Sequence, residues 1–248
     1  MRESTLEDKS IAHYRTAIVT GASSGVGAAT GRALAEIGLS VALVARRRER
    51  LEQVAAEIVV TGGRALPIAA DLADAQSARE AMERALDELG SVDVLVSCLG
   101  ANVPERALSS LSVADWDSTV ATNLSAVFYC LHTVLPAMRH RGSGLIVAIS
   151  SLAGLRPSAL SGAGYSAAKA GLNALCRSIN LEETSSGIRT CVIAPGDIDT
   201  ELLDQRPDPP SAEARERMLR PDDIARLVVA VLAQPPHMVL DEIVVYPR

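Results

Sequence analysis

The feature that most constrains this chain is a glycine-rich turn between its first apolar run and its first segment of helical spacing. The apolar run covers residues 17–20, and the turn reads TGASSGVG over residues 20–27. Glycine adopts positive φ angles at little cost and lets a phosphate approach the backbone, while the following helix N-terminus faces the negative charge. The spacing is GxxxGxG rather than the general GxGxxG, but it lies at a strand-to-helix junction, as a phosphate loop requires.

The rest of the chain alternates apolar runs with segments of helical spacing. Because the runs are continuously apolar, they predict strands that are covered on both faces. The predicted strands are 17–20, 41–45, 65–69, 92–97, 145–149, 190–193 and 243–246, and the predicted helices include 25–37, 75–89, 165–185 and 221–232. The pattern predicts an α/β fold: a doubly wound, Rossmann-type parallel sheet with helices on both faces.

A single domain is expected. Residues 1–15 mix charged and polar residues and are predicted to be an N-terminal extension, followed by one catalytic domain over residues 16–248. The proline-rich piece at 206–210 would leave only about 40 residues behind it, too few for an independent core. We therefore expect the surrounding segment, about 199–220, to be a substrate lid.

Composition excludes several classes of function. The net charge is −6 and the chain has one Phe, one Trp and four Tyr, so neither a basic stripe nor stacking platforms for nucleic acid are expected. No secretory signal and no run of 18 apolar residues is seen, which predicts no membrane span. The four cysteines form no CxxC pair and the four histidines show no ligand spacing. A cytoplasmic protein with free thiols and no metal site is expected.

The end of the second predicted strand bears on the choice of cofactor. NAD-binding folds place an acidic residue here for the ribose 2′-hydroxyl. This chain has Ala45 followed by Arg46, Arg47 and Arg48, and no acidic residue before Glu49. An arginine can bind a 2′-phosphate through charge-assisted hydrogen bonds. The sequence therefore favours NADP(H) over NAD(H).

A group of polar residues predicts proton-transfer chemistry. Tyr165 and Lys169 stand at i and i+4 on one face of a predicted helix, and an ammonium near a phenol favours its ionised form. Tyr165 would then act as general acid or base. Ser150 and Ser151 end the fifth predicted strand, at the edge where ligands bind in open sheets. Asn123 lies inside an otherwise apolar helix, where asparagine is unfavourable. It is either a functional residue or a core amide whose hydrogen bonds are satisfied.

Together these motifs resemble the short-chain dehydrogenase/reductase family, over residues 16 to about 246. The resemblance implies four catalytic residues. Tyr165 would be the proton donor, and Ser151 would polarise the carbonyl. Lys169 would lower the Tyr165 pKa and hold the nicotinamide ribose, and Asn123 would anchor a water relay. It also implies a set of cofactor-binding residues. These are Gly21, Ser23, Ser24, Gly25, Val26 and Gly27 in the phosphate loop, Arg46 and Arg47 at the 2′-phosphate, Asp71 and Leu72 at the adenine, Gly100, and Pro195, Gly196, Ile198 and Thr200 at the carboxamide, with Tyr165 and Lys169.

The chain departs from the family pattern in three places. Where the family has Asn-Asn-Ala-Gly after the fourth strand, this chain has Ser97-Cys98-Leu99-Gly100, which is expected to alter the adenosine-side wall. The interval from Ser151 to Tyr165 is one residue longer than usual, so Ser150 is the alternative serine. The C-terminus lacks the Asp-Gly-Gly ending, and it resembles the branch of NADP-dependent 3-hydroxy acid and serine dehydrogenases.

The leading hypothesis is an NADPH-dependent carbonyl reductase, or NADP-dependent alcohol dehydrogenase in reverse, acting on a small ketone or secondary alcohol. A dehydrogenase of 3-hydroxy acids or β-hydroxy amino acids is the alternative, which needs a cation near the lid such as Arg156, Arg206 or Arg220. A non-catalytic dinucleotide sensor is the alternative from another class. The resemblance also implies a homotetramer or homodimer that pairs through the long helices around Asn123 and Tyr165.

Overall fold

The computed structural model describes Ile11 and residues 13–248. Within this part of the chain, seven strands form one parallel sheet in the order β3-β2-β1-β4-β5-β6-β7. The strands are β1 (Thr16–Thr20), β2 (Ser40–Ala45), β3 (Arg64–Ala69), β4 (Val94–Ser97), β5 (Gly144–Ile149), β6 (Ile188–Pro195) and β7 (Glu242–Val245). The strand order reverses between β1 and β4, and such a switch point opens a crevice at the carboxyl ends of the strands.

Helices cover both faces of this sheet. They are α1 (Gly25–Glu36), α2 (Arg48–Val60), α3 (Ala75–Leu89), α4 (Val113–Val120), α5 (Ala126–Arg141), α6 (Ala163–Glu183), α7 (Ala212–Glu216) and α8 (Pro221–Leu232). A π-helical turn, Ala121–Ser125, joins α4 to α5. The doubly wound α/β fold predicted from the sequence is confirmed.

The core has two apolar layers, one on each side of the sheet. Alternate residues of one strand enter different layers: Val19 packs with α1 and α8 residues, whereas Ile18 packs with residues of α3 and α5. All five residues of β1 and all six of β5 are buried. This explains why the strands are continuously apolar, since neither face of the central sheet meets water.

The predicted element bounds are close to the observed ones. β4 begins at Val94 rather than at residue 92, and β6 extends to Pro195 rather than ending at residue 193. The longer β6 carries the chain to the edge of the crevice. There Ile198 pairs with Leu219 in an isolated bridge, so the two ends of the predicted lid are held together.

The described residues of the predicted N-terminal extension pack against the domain. Tyr14, which falls within the predicted extension, is buried in the core, and its hydroxyl accepts a hydrogen bond from Arg189 at 3.0 Å. Ile11 also packs against this core layer. Residues 1–10 and 12 of the predicted extension lie outside the described residues.

One helical stretch meets the length and hydropathy of a membrane span. Residues Val113–Arg141 run as 29 helical residues with a mean hydropathy of 1.3 in the most apolar window. Buried side chains of α5, including Val127, Leu131 and Val134, pack beneath the sheet. In this window 33% of the residues are buried, and core helices of globular proteins meet the same criterion.

Candidate active site

A large crevice lies over the carboxyl ends of the central strands. Its volume is about 940 Å³. It is bordered by the turn after β1, the loops after β4 and β5, the start of α6 and the lid at 199–220. Every residue that the sequence analysis assigned to the cofactor lines this crevice, and so do Ser151, Tyr165 and Lys169. Asn123 does not line it and lies directly behind it.

The glycine turn is closely packed at two positions. Gly21 has a φ of 70°, and a Cβ there would lie 2.6 Å from the carbonyl oxygen of Cys98. A Cβ on Gly27 would lie 2.3 Å from the Gly21 carbonyl oxygen. Ser24 is the N-cap of α1 in extended conformation, its side chain makes no capping hydrogen bond, and no acidic residue stands in the first turn of the helix. The first amide groups of α1 are therefore left for an anionic ligand.

Arg46 and Arg47 occupy the crevice wall after β2. Arg47 donates to Ser23 Oγ at 3.1 Å, to Ser24 Oγ at 2.6 Å and to a Glu201 carboxylate oxygen at 3.0 Å. Arg46 is exposed and forms no ion pair with any residue that the structure describes. Arg47 thus contacts both serine hydroxyls of the phosphate loop, and Arg46 lines the same crevice.

The opposite walls are built from the loops after β3 and β6. Leu72 is buried beside the crevice, and Asp71 accepts a hydrogen bond from the Ala73 amide at 3.1 Å. Thr200 lies against the glycine turn, since a Cβ on Gly25 would be 3.2 Å from the Thr200 methyl group. Gly196 lies under the chain end, where an added Cβ would be 3.0 Å from Tyr246 Cβ.

Tyr165 and Ser151 meet at the crevice wall. Tyr165 lies in the first turn of α6, and Ser151 is near enough to its hydroxyl to lower the tyrosine pKa. Ser151 Oγ also accepts from the Ala153 amide at 3.1 Å, which caps a short 3₁₀ turn. Ser150, the alternative serine, points away: it is buried and donates to Asn173 Oδ1 at 2.5 Å. Geometry therefore favours Ser151 over Ser150 as the partner of Tyr165.

Burial raises the pKa of Tyr165, and three neighbours oppose that rise. The Ser151 hydroxyl and the positive charges of Arg206 and Arg106 favour the ionised phenol. Arg206 and Arg106 are thus two cations that act on this pKa besides Lys169, for which the same effect stays a prediction.

Lys169 is the largest fully buried charged side chain among the described residues. It is 1% exposed, and its ammonium donates to the carbonyl oxygens of Leu99 at 2.8 Å and Ile149 at 2.9 Å. Its Nζ lies 5.8 Å from the centre of the Tyr165 ring. Burial lowers the pKa of Lys169 to about 8. The two carbonyls hold the ammonium under the tyrosine ring.

Asn123 is a satisfied buried amide. It stands in the π-helical turn, donates to the carbonyl oxygens of Ala101 and Thr119 at 2.8 Å each, and accepts from the Ala101 amide at 3.3 Å. The sequence left two interpretations of Asn123 open, and these contacts are those of a core amide. The side chain ties α4 to the loop after β4, which forms one crevice wall.

Cys98 takes the place of the family's asparagine without adding a charge. Burial raises the pKa of its thiol to about 12, so the group is a neutral thiol near pH 7. Its backbone carbonyl is the oxygen against which Gly21 packs. The contact that needs a glycine in the turn is thus made by the backbone and does not depend on the side chain at position 98.

Arg106 is the most buried arginine of the crevice, and it was not predicted from the sequence as a site residue. Nothing in the loop sequence 99–112 distinguishes it, because its environment comes from contacts 54 and 99 residues away. Of the three arginines proposed from the sequence, Arg206 lines the crevice and pairs with Asp197, and Arg156 is exposed on the crevice wall. Arg220 lies outside the crevice and pairs with Asp199 at 2.6 Å.

Comparison with known proteins places these features in a family. The family model described as short chain dehydrogenase matches residues 15–210. The cis-4-hydroxycyclohexanecarboxylate dehydrogenase of Sinomonas cyclohexanicum is 38% identical over 234 residues, covering 92% of this chain and 93% of that protein. The glycine betaine reductase ATRR of Emericella nidulans is 35% identical over 94% of this chain, but the chain spans only 19% of that protein.

Solved structures agree with this placement. A metagenomic short-chain oxidoreductase in complex with NADP is 36% identical, with a TM-score of 0.82 and coverage of 94% of this chain and 97% of that one. An alcohol dehydrogenase from the archaeon Thermococcus sibiricus, complexed with 5-hydroxy-NADP, is 30% identical, with a TM-score of 0.84 and coverage of 95% and 97%.

The lowered pKa of Lys169 predicts a particular pH dependence of stability. Between about pH 8 and the ordinary lysine value of 10.5, the unfolded chain binds more protons than the folded one. The contribution of Lys169 to the free energy of unfolding is therefore unfavourable at pH 8 and becomes less so as the pH rises through this window. Urea unfolding of the wild type and Lys169→Met, at about pH 7.5 and about pH 10, measures this contribution. The wild type should gain stability relative to the variant at the higher pH, and an unchanged difference would contradict the shifted pKa.

Proposed function

This chain belongs to the short-chain dehydrogenase family of oxidoreductases, and from that premise we propose that it is an NADPH-dependent carbonyl reductase, acting in reverse as an NADP-dependent alcohol dehydrogenase. The substrate class is a small ketone or secondary alcohol. The observation that carries this proposal is that Tyr165 and Ser151 are neighbours in the same crevice as the glycine turn.

The residues of the crevice fit a dinucleotide. A side chain on Gly21 or Gly27 would collide with backbone oxygens, so these positions keep the turn narrow and the α1 amides accessible. The phosphates are assigned to the turn over residues 21–27, with the adenine at Asp71 and Leu72 and the carboxamide at Ile198 and Thr200. Gly100, Pro195 and Gly196 complete the walls. NADPH supplies the hydride that reduces the carbonyl carbon.

The protein's own groups act on the carbonyl oxygen. Ser151 donates a hydrogen bond to the oxygen on which negative charge develops. Tyr165 then gives its phenolic proton to that oxygen, and takes it back when an alcohol is oxidised. Burial alone would raise the pKa of Tyr165 and keep its proton bound. Arg106 and Arg206 favour the ionised phenol, so they make it easier for the proton to leave. Lys169 carries the buried positive charge below the ring, and Asn123 holds the adjacent wall in place.

A second candidate function is a dehydrogenase of hydroxy acids. It is supported by the relative that is named for a hydroxycyclohexanecarboxylate and by the arginines beside Tyr165. The candidate from another class, a dinucleotide sensor without turnover, gives no role to the Tyr165–Ser151 pair. Detection of bound NADPH that no carbonyl compound oxidises would favour the sensor.

We also propose that the protein is a cytoplasmic homodimer or homotetramer. The four cysteines are free, as in a reducing compartment. On the helices that were expected to pair, Phe128 of α5 is 48% exposed and Leu181 of α6 is 87% exposed. Burying such side chains against a second copy is favourable. Sedimentation at micromolar concentration should give a dimer or tetramer, and a monomer alone would contradict this proposal.

The cofactor assignment predicts a selective effect of Arg46. Arg46→Ala should lower kcat/KM for NADPH roughly ten- to hundredfold, the range for a hydrogen bond to a charged group, and leave NADH use nearly unchanged. Arg48→Ala is the matched control, because Arg48 lies outside the crevice and faces Glu52 on α2 at 4.0 Å. Equal losses with both cofactors, or an equal effect of Arg48→Ala, would contradict the assignment.

The proton donor is tested by removing one oxygen. Tyr165→Phe should lower the rate of NADPH oxidation with ketones by about 100-fold or more, the range for loss of a general acid. Its NADPH affinity, measured by fluorescence titration, should stay within about twofold of the wild type. Tyr129→Phe makes the same change on α5, away from the crevice, and should keep normal activity. Near-normal activity of Tyr165→Phe would remove the basis for the proposed reaction.

A further inference from the structure

Arg106 is a buried cation without an acidic partner. It is 6% exposed, and no carboxylate in the described part of the chain forms an ion pair with it. A buried charge that lacks a counter-ion is costly, and most such charges are paired. The side chain nevertheless lines the crevice beside Tyr165. An anion bound in the crevice would supply the missing partner.

The position of Arg106 is fixed by three loops. Its guanidinium donates to the carbonyl oxygens of Val103 at 2.8 Å, Leu160 at 3.2 Å and Gln205 at 2.5 Å. These belong to its own loop, to the loop before α6 and to the lid. Gly162, with a φ of 75°, packs so closely that a Cβ there would lie 2.6 Å from the Arg106 carbonyl oxygen. The guanidinium is therefore held in place before any ligand binds.

Part of the hydrogen-bonding capacity of Arg106 remains unused. A guanidinium carries five N–H groups, and these three bonds use Nε and one hydrogen on each terminal nitrogen. No further acceptor for it is found among the residues that the structure describes. One N–H on each terminal nitrogen is left, and such groups can donate charge-assisted hydrogen bonds to a carboxylate.

The charges around Arg106 make this end of the crevice positive. Arg206 is close enough to act on Arg106 and is already paired with Asp197, and Arg156 also lines the crevice. Burial and the charge of Arg206 both lower the pKa of Arg106. At the other end, the acidic Glu201 is engaged by Arg47 and Arg50. A ligand carboxylate beside Arg106 would therefore balance charge that the described residues leave unbalanced.

We propose that the substrate carries a carboxylate, and that Arg106 binds this group while the carbonyl of the same molecule faces Tyr165 and Ser151. This inference rests on the proposed carbonyl chemistry and names its substrate class as oxo acids and hydroxy acids. Arg106 is then a specificity-determining residue, held by the lid and the loop before α6. It was not among the arginines that the sequence suggested for this role.

Binding to the NADP⁺ complex tests the inference without turnover, because a ketone is not reduced by the oxidised cofactor. The probes are 4-oxocyclohexanecarboxylate and 4-oxopentanoate, each beside its neutral methyl ester, and calorimetry measures their affinities. The wild type should bind at least one acid roughly tenfold or more tightly than its ester, as expected for a charge-assisted pair. Equal affinities in both pairs, or no saturable binding of either acid, would overturn the inference.

Variants then assign the preference to Arg106. Arg106→Gln should remove most of the preference for the acid and leave ester binding nearly unchanged, and Arg106→Lys should keep part of it. Arg220→Gln is the matched control, an arginine at the lid that lies outside the crevice. An equal loss of acid and ester binding would mean that Arg106 only holds the loops, and would overturn the inference. The wild-type comparison of acid and ester stands even where a variant fails to fold.

NADPH oxidation separates this inference from the proposed function. If the wild type reduces ketones but binds acids and esters alike, the carboxylate subsite is wrong and the reductase stands. If acids bind selectively but no ketone or oxo acid is reduced, the reductase is wrong and the anion subsite stands. If Arg106→Gln lowers kcat equally for acid and ester with unchanged KM values, Arg106 acts on Tyr165 rather than on a carboxylate, which overturns the inference.

Discussion

The close contact between the glycine turn and the end of the sheet is the constraint on which the rest of the site depends. Gly21 lies against the Cys98 carbonyl and Gly27 against the Gly21 carbonyl, with no room for a side chain at either position. This packing sets where α1 begins relative to β1 and β4. The same packing positions the α1 amides and the loop after β4. That loop includes Leu99, whose carbonyl oxygen accepts a hydrogen bond from Lys169.

Buried positive charge is the second organising feature. Lys169 and Arg106 are both almost inaccessible to solvent, and backbone carbonyls, rather than carboxylates, accept their hydrogen bonds. Carbonyl dipoles hold a cation in place without neutralising it. Both groups therefore keep a net positive charge beside Tyr165, in a buried surrounding where charge acts more strongly than in water. The site is arranged to favour negative charge on an oxygen of the ligand or of the tyrosine.

The sequence predicts those parts that depend on local pattern. The strand-to-helix turn, the apolar strands and the i, i+4 pair of Tyr165 and Lys169 were all recognisable, and the sheet topology follows from the alternation of strands and helices. Long-range contacts were not recognisable. The burial of Arg106 comes from Leu160 and Gln205, which are distant in sequence. The arginines that act on the Tyr165 pKa, the pairing of Ser150 with Asn173 and the contact of Tyr14 with Arg189 likewise come from the tertiary fold.

The central claim is that one crevice brings the hydride of NADPH and a carbonyl carbon together at Tyr165 and Ser151. Transfer of deuterium from NADPH that is deuterated at both positions of nicotinamide C4 tests this most directly. With ketones and oxo acids as substrates, NMR of the product should show one deuterium on the new carbinol carbon, delivered to a single face. NADPH that binds but transfers no deuterium to any compound of the panel would contradict the account.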